Sequence, residues 1–250
     1  MNDAKDTAVA LDHVSKAFGQ KQVLEDITFS VAREEAICLL GRSGIGKSVA
    51  LKLIIALVKP DTGHIWIDGE DITQLKGQEL SRVRRKMGFL FQNGALFDFL
   101  NLYDNLALPL HRLTQKSKQE IEQIIDRALR QVGLSGDREK MPNELSGGMM
   151  KRAGLARALA LEPQILLVDE PSSGLDRVTA SEIDDLLLEQ KQHMTMIIVS
   201  HDVHGARRVC DRFAVLDQGR LAAIGKPQDL EHHENETVRK LVAEKYDVES

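Results

Sequence analysis

The octapeptide GRSGIGKS at 41–48 constrains this chain more tightly than any other segment. It satisfies G-x-x-x-x-G-K-[ST] at every fixed position. It follows the apolar run AICLL (36–40), which fits a buried parallel strand. It opens KSVALKLIIALV (47–58), which has helical length and ends before Lys59-Pro60. Strand, glycine-rich loop and helix in that order make a cradle for phosphate. Glycines let the loop wrap so that successive backbone N–H groups point inward, and the helix N-terminus adds partial positive charge. The candidate phosphate-binding residues are therefore Gly41, Arg42, Ser43, Gly44, Ile45, Gly46, Lys47, Ser48 and Val49. Lys47 supplies a point charge for the β- and γ-phosphates of a nucleotide, and the Ser48 hydroxyl is suited to ligate Mg²⁺.

The rest of the chain reads as an α/β fold built around that unit. MGFLFQ (87–92), ILLVDEP (165–171) and MTMIIVSHD (194–202) are further strands. Helical patterns cover 76–86, 149–161, 178–192 and 203–210. The segment KSKQEIEQIIDRALRQVG places apolar residues at 121, 124, 125, 128, 129 and 132, one helix face, with Gly133 as its stop. Residues 8–31 read as two or three short strands around Gly19, 64–72 as a strand, turn and re-entry, and 212–225 as a hairpin turning at 217–219. Strands alternating with helices predict a mostly parallel core sheet with an antiparallel N-terminal part. A helix-rich block at about 95–155 interrupts the alternation and reads as an inserted subdomain. The expected organisation is one domain over 1–250. Its α/β core is at about 8–92 and 156–228, its helical subdomain at about 93–155 and its tail at about 229–250. With 250 residues, such a chain buries its core without staples. Cys38 and Cys210 lie far apart in apolar stretches and read as buried free thiols.

Two more motifs carry chemistry. In ILLVDEP an apolar strand ends in two acids, which places both carboxylates at the carboxyl edge of the sheet, where open α/β sheets bind ligands. Asp169 is suited to hold Mg²⁺ through water, and Glu170 to polarise an attacking water as general base. In LSGGM (145–149), Ser146 can cap the following helix, and Gly147 and Gly148 form a phosphate-sized nest at its start. A second such nest is redundant for one nucleotide unless it reads the nucleotide held by another copy.

With these motifs in this order, the chain resembles the ATP-binding subunits of ABC transporters over about residues 9–228. The resemblance implies a P-loop ATPase that works as a head-to-tail homodimer around two ATP. Ser146, Gly147 and Gly148 then act in trans. It also implies that Phe18 stacks on adenine, that Gln92 contacts Mg²⁺ and senses the membrane subunit, and that Ser173, Gly174, Leu175 and Asp176 cross the dimer interface. His201 matches the histidine that meets the γ-phosphate. Lys47, Glu170 and His201 form the implied catalytic set. Two positions depart from the family pattern. Met149 stands where many members have Gln, and Ser172 where Thr is commoner; neither removes a catalytic group.

The segment KMGFLFQNGALFDFLNLYDNLALPL (86–110) narrows the resemblance. FQ-x-GALFD followed by DN-x-A-x-PL is similar to the ATPases of Mla/Mce-type phospholipid transport systems, as are LSGGM and GLD-x-VTA. That implies an integral-membrane permease partner, an Mce-domain lipid-binding protein in the same complex, and lipid moving between inner and outer membranes. The apolar residues Leu96, Phe97, Phe99, Leu100 and Leu102 either accept a permease helix in a groove or build the subdomain's own core. Other cargoes, such as amino acids or drugs, are alternatives, as is a soluble ABC ATPase acting on DNA or ribosomes. The insert of about 60 residues and the single cassette speak against the last. A net charge of −5 argues against a nucleic-acid partner. No signal peptide or membrane-spanning run is visible in the sequence, so the expected location is cytoplasmic, on the inner membrane through the permease. Apolar Val238, Leu241 and Val242 in the tail pack on a second protomer or belong to a frayed end.

Overall fold

A computed structural model describes residues 6–243. The chain opens with a long hairpin, β1 (Thr7–Phe18) and β2 (Lys21–Ala32), turning at Gly19. Register shifts within β1, with His13 at φ 52°, absorb the polar interruptions that make the sequence read as shorter strands. β3 (Ala36–Leu40) leads into α1 (Lys47–Ile54). The helix stops four residues before the expected end at 58. Ala56 turns to φ 56°, and the N–H groups of Leu57 and Val58 both donate to the Lys52 carbonyl. β4 (Thr62–Ile67) returns beside β1 and pairs with β5 (Glu70–Asp71), which completes an antiparallel sheet in the order β2-β1-β4-β5. α2 (Gly77–Arg84) and β6 (Met87–Leu90) follow.

Three helices then intervene: α3 (Leu102–Leu113), α4 (Lys118–Gln131) and α5 (Gly147–Leu159). α4 begins at a reciprocal cap between Ser117 and Glu120 and buries Ile121, Ile124, Ile125, Ala128 and Leu129, the face that the spacing defines. α3 is the element the sequence does not announce. Pro109 sits inside it and breaks the expected pattern, although Asn101 caps its start and Leu102, Leu106 and Leu110 share its buried face.

The core then resumes with β7 (Ile165–Asp169), α6 (Arg177–Lys191), β8 (Thr195–Val199), α7 (Val203–Val209), β9 (Arg212–Asp217) and β10 (Arg220–Gly225). The order in this sheet is β10-β9-β3-β8-β7-β6, parallel throughout except for the β9–β10 hairpin. Side chains alternate across a strand. Ala36, Cys38 and Leu40 therefore enter one apolar cluster, and Ile37 and Leu39 enter the other. β7 and β8 divide in the same way, so the sheet is covered on both faces. Cys38 and Cys210 are buried and free. α8 (Pro227–Leu230) and α9 (Glu236–Val242) close the described chain. Val238, Leu241 and Val242 are buried against the same chain, so this part of the tail packs at home rather than on a second protomer. Residues 244–250 of that tail lie outside the described residues.

One fully buried polar side chain organises the loop between β6 and α3. The Asn105 amide donates to the carbonyls of Phe97, Leu100 and Asn101 at 3.1, 2.9 and 3.0 Å and accepts from the Phe97 N–H at 2.8 Å. Asn105→Leu fills the space but strands these main-chain groups. The expected loss is about 2–3 kcal/mol, read as a lower denaturant midpoint at unchanged m-value.

Candidate nucleotide site

Four parallel strands deliver their carboxyl ends to one edge of the sheet, and the motif residues sit there. The 41–48 loop follows β3, Gln92 follows β6, Asp169 ends β7 with Glu170 beyond it, and His201 follows β8. Two loop glycines are required by their surroundings. A Cβ on Gly41 would lie 2.7 Å from the Leu216 carbonyl oxygen. At Gly46, with φ 111°, it would lie 2.7 Å from a Leu24 methyl. Gly46 also caps α1 without a side-chain acceptor, as suits a helix start that meets an anion. Lys47 is buried, and its ammonium donates to the carbonyls of Gly41 and Arg42 at 2.7 and 3.1 Å. Burial pulls its pKa below the usual lysine value, against the opposing pull of Glu170 and Asp169.

The Ser48 hydroxyl donates to Asp169 Oδ1 at 2.7 Å, which ties the loop helix to β7. Burial holds the Asp169 carboxyl above its ordinary range, the Ser48 bond opposes this, and neighbouring Glu170 adds to it. A hydroxyl and a charge-strained carboxylate side by side are hard oxygen donors suited to Mg²⁺. Glu170 adopts φ 51°, with its N–H donating to the Val199 carbonyl at 2.8 Å. Its Oε2 lies 2.5 Å from His201 Nδ1. That hydrogen bond raises the His201 pKa above 6.5, reinforced by the Glu170 charge and opposed by burial. Gln92 reaches Ser173 Oγ at 3.4 Å. One participant was not legible in the sequence. Lys151 on α5 sends its ammonium to the carbonyls of Glu170 and Ser173, and nothing in MMKRAG distinguishes it from a solvated helix cation.

Other candidate residues stand apart from this cluster. Phe18 is half-exposed at the end of β1, with the Lys16 ammonium 5.4 Å from its ring centre. Ser146 caps α5, accepting from the Met149 N–H at 3.3 Å, as its position in LSGGM predicts. Gly148 lies so close to Thr179 that a Cβ would come within 2.4 Å of it. Asp176 caps α6, accepting from the N–H groups of Val178 and Thr179. Among the described residues, no hydrogen bond joins 146–148 to the 41–48 loop. In the 86–110 segment the core expectation is met in part. Leu102 is fully buried, whereas Phe97 and Phe99 are exposed. A cavity of about 460 Å³ lies between the end of β6 and α3, lined by Phe89, Phe91, Phe97, Pro109, Leu113 and Arg157 among others.

The Glu170–His201 bond sets a pH signature. His201 favours its protonated form in the folded chain. Its stabilising contribution is complete below 6.5 and is lost as pH rises through the raised folded value. Imidazole NMR should show a His201 midpoint above 6.5 in the native chain and a lower one in Glu170→Gln. Identical midpoints would contradict the contact.

Comparison with known proteins follows the same lines. The ABC transporter family matches residues 24–173. Over 237 residues the chain is 44% identical to a probable ribonucleotide transport ATP-binding protein mkl of Mycobacterium leprae, covering 94% of this chain and 68% of that protein. It is 38% identical over 228 residues to methionine import ATP-binding protein MetN 1 of Bacillus cereus, covering 89% of this chain and 66% of that one. The chain thus spans about two thirds of the length of these relatives. The dimeric post-hydrolysis state of the ATP-binding cassette MJ0796, bound to ADP and Pi, superposes with a TM-score of 0.81 at 32% identity, over 87% of this chain and 98% of that one.

Proposed function

Since the chain belongs to the ABC transporter ATP-binding family and carries that family's ATPase domain, we propose that its strand-end cluster hydrolyses ATP between two copies of the chain. The observation that carries this reading is the pairing of Glu170 with His201 at 2.5 Å beside the Ser48–Asp169 contact at 2.7 Å. The 41–48 amides and Lys47 hold the β- and γ-phosphates. Ser48, Gln92 and Asp169 would hold Mg²⁺, which when bound would neutralise charge on the phosphate oxygens. The Glu170 carboxylate accepts a proton from the attacking water. His201 fixes that carboxylate and faces the γ-phosphate. Phe18 stacks on the adenine. Ser146, Gly147 and Gly148 of each copy close over the nucleotide held by the other, with Asp176 at the interface between them. In this reading residues 8–92 and 156–228 act as the core and 93–155 as the moving helical subdomain.

No helix among the described residues is long and apolar enough to cross a membrane. By analogy with the family, the reading places the chain on the cytoplasmic face of the inner membrane, held by a permease. The apolar groove beside Phe97 suits a short permease helix. Phospholipid is the proposed cargo, with an Mce-domain protein in the same complex; the support is the FQNGALFD and DNLALPL segments. The relatives' names point to other solutes, ribonucleotide and methionine, and favour a second reading in which the same motor serves a polar cargo.

Glu170→Gln tests the motor. ATP binding should persist, hydrolysis should fall by about a hundredfold or more, and ATP should then hold a dimer on size exclusion. Normal turnover would overturn the base assignment. A mild-detergent pull-down from native membranes tests the cargo. A permease arriving with an Mce-domain protein and phospholipid supports the lipid reading, and a permease with a different soluble binding protein overturns it.

A further inference from the structure

α5 carries three residues, at 151, 154 and 157, that touch two loops of the site. The Lys151 ammonium donates to the Glu170 carbonyl at 3.0 Å and to the Ser173 carbonyl at 2.6 Å. Gly154 packs so closely on the loop after Gln92 that a Cβ there would lie 2.8 Å from the Gly94 Cα. Arg157 donates to the carbonyls of Gly94 and Ala95 and lines the apolar groove. Residues three apart lie along one side of a helix. One side of α5 therefore runs from the groove to the backbone of Glu170.

Lys151 is the unusual member. Only 6% of it is exposed, and its ammonium donates to two main-chain carbonyls. A buried ammonium is costly and is retained where its hydrogen bonds have a use. The use is visible at Glu170. Its φ of 51° lies in the left-handed region, which a non-glycine residue holds only when its surroundings over-determine it. The Val199 carbonyl takes the Glu170 N–H, and Lys151 takes the Glu170 carbonyl. The two peptide groups flanking the residue are thus fixed from opposite neighbours. The Ser173 N–H also meets the Glu170 carbonyl, at 3.3 Å, so the whole turn closes around that ammonium.

We propose that Lys151 is a positioning residue for hydrolysis: it locks the left-handed turn at Glu170 so that the carboxylate faces the attacking water, and it ties that alignment to α5. The inference rests on the reading of Glu170 as the general base.

Steady-state ATP hydrolysis by the full chain tests it, with Lys151→Met, Lys151→Arg and each combined with Glu170→Gln. Lys151→Met keeps the apolar stem and removes the donors. Its kcat should fall at least about tenfold, as slight misplacement of a catalytic group does, while the KM for ATP changes less than about twofold. Lys151→Arg keeps the donors and should recover most of the rate. In the Glu170→Gln background Lys151→Met should lower the residual rate no further, because the two residues act as one unit. Lys151→Gln, with a shorter and uncharged donor, should fall between Met and Arg, which gives a second reading independent of the stability of Lys151→Met. Wild-type kcat in Lys151→Met beside an inactive Glu170→Gln would overturn the role of Lys151 alone. An equal loss in both backgrounds would do the same, since it marks a merely structural residue. Wild-type turnover by Glu170→Gln would instead overturn the base assignment on which the inference rests.

Discussion

Burial of both faces of the parallel sheet is the constraint on which the rest of this structure depends. β3, β7 and β8 are buried at every position, and their alternate side chains feed two separate cores. Polar chemistry finds little room in the middle of such strands. It is displaced to their carboxyl ends, where backbone conformations outside the sheet begin. Because the strands are parallel, those ends coincide. The 41–48 loop, the acids at the end of β7 and the histidine after β8 converge without further elements. The Ser48–Asp169 hydrogen bond then joins the first of these to the second.

The same logic explains what the sequence makes legible. Short apolar runs bounded by glycine or charge identify β3, β6, β7 and β8, and strand-end residues inherit their place from them. The face of α4 follows directly from its periodicity. Elsewhere local pattern and tertiary context disagree. Pro109 hides α3, although the helix survives around it. Bulges in β1 make one long strand read as several. α1 ends early through a backbone turn at Ala56 that no residue type there demands.

Buried polar residues are the least legible of all. Asn105 and Lys151 each look like surface positions in the sequence, and each is enclosed in the fold because it satisfies several main-chain carbonyls at once. Nothing in spacing or composition reveals such a role, since the carbonyls belong to loops distant in sequence or irregular in shape. Both side chains bond main-chain carbonyls. Asn105 shapes the loop that bears the exposed Phe97 and Phe99, and Lys151 holds the turn that bears Glu170. The apolar groove and the turn at Glu170 are thereby joined through one helix.

In the proposed function the nucleotide site is completed by a second copy of the chain. Ser43 in the loop and Ser146 at the start of α5 are both exposed, and the native thiols of Cys38 and Cys210 are buried. A Ser43→Cys/Ser146→Cys chain, treated with a short thiol cross-linker in the presence and absence of ATP and Mg²⁺, separates the possibilities by mass. A site shared between two copies gives a covalent product of twice the chain's mass that forms only with nucleotide. A chain linked to itself at the monomer mass, or a dimer that forms equally without nucleotide, would contradict it.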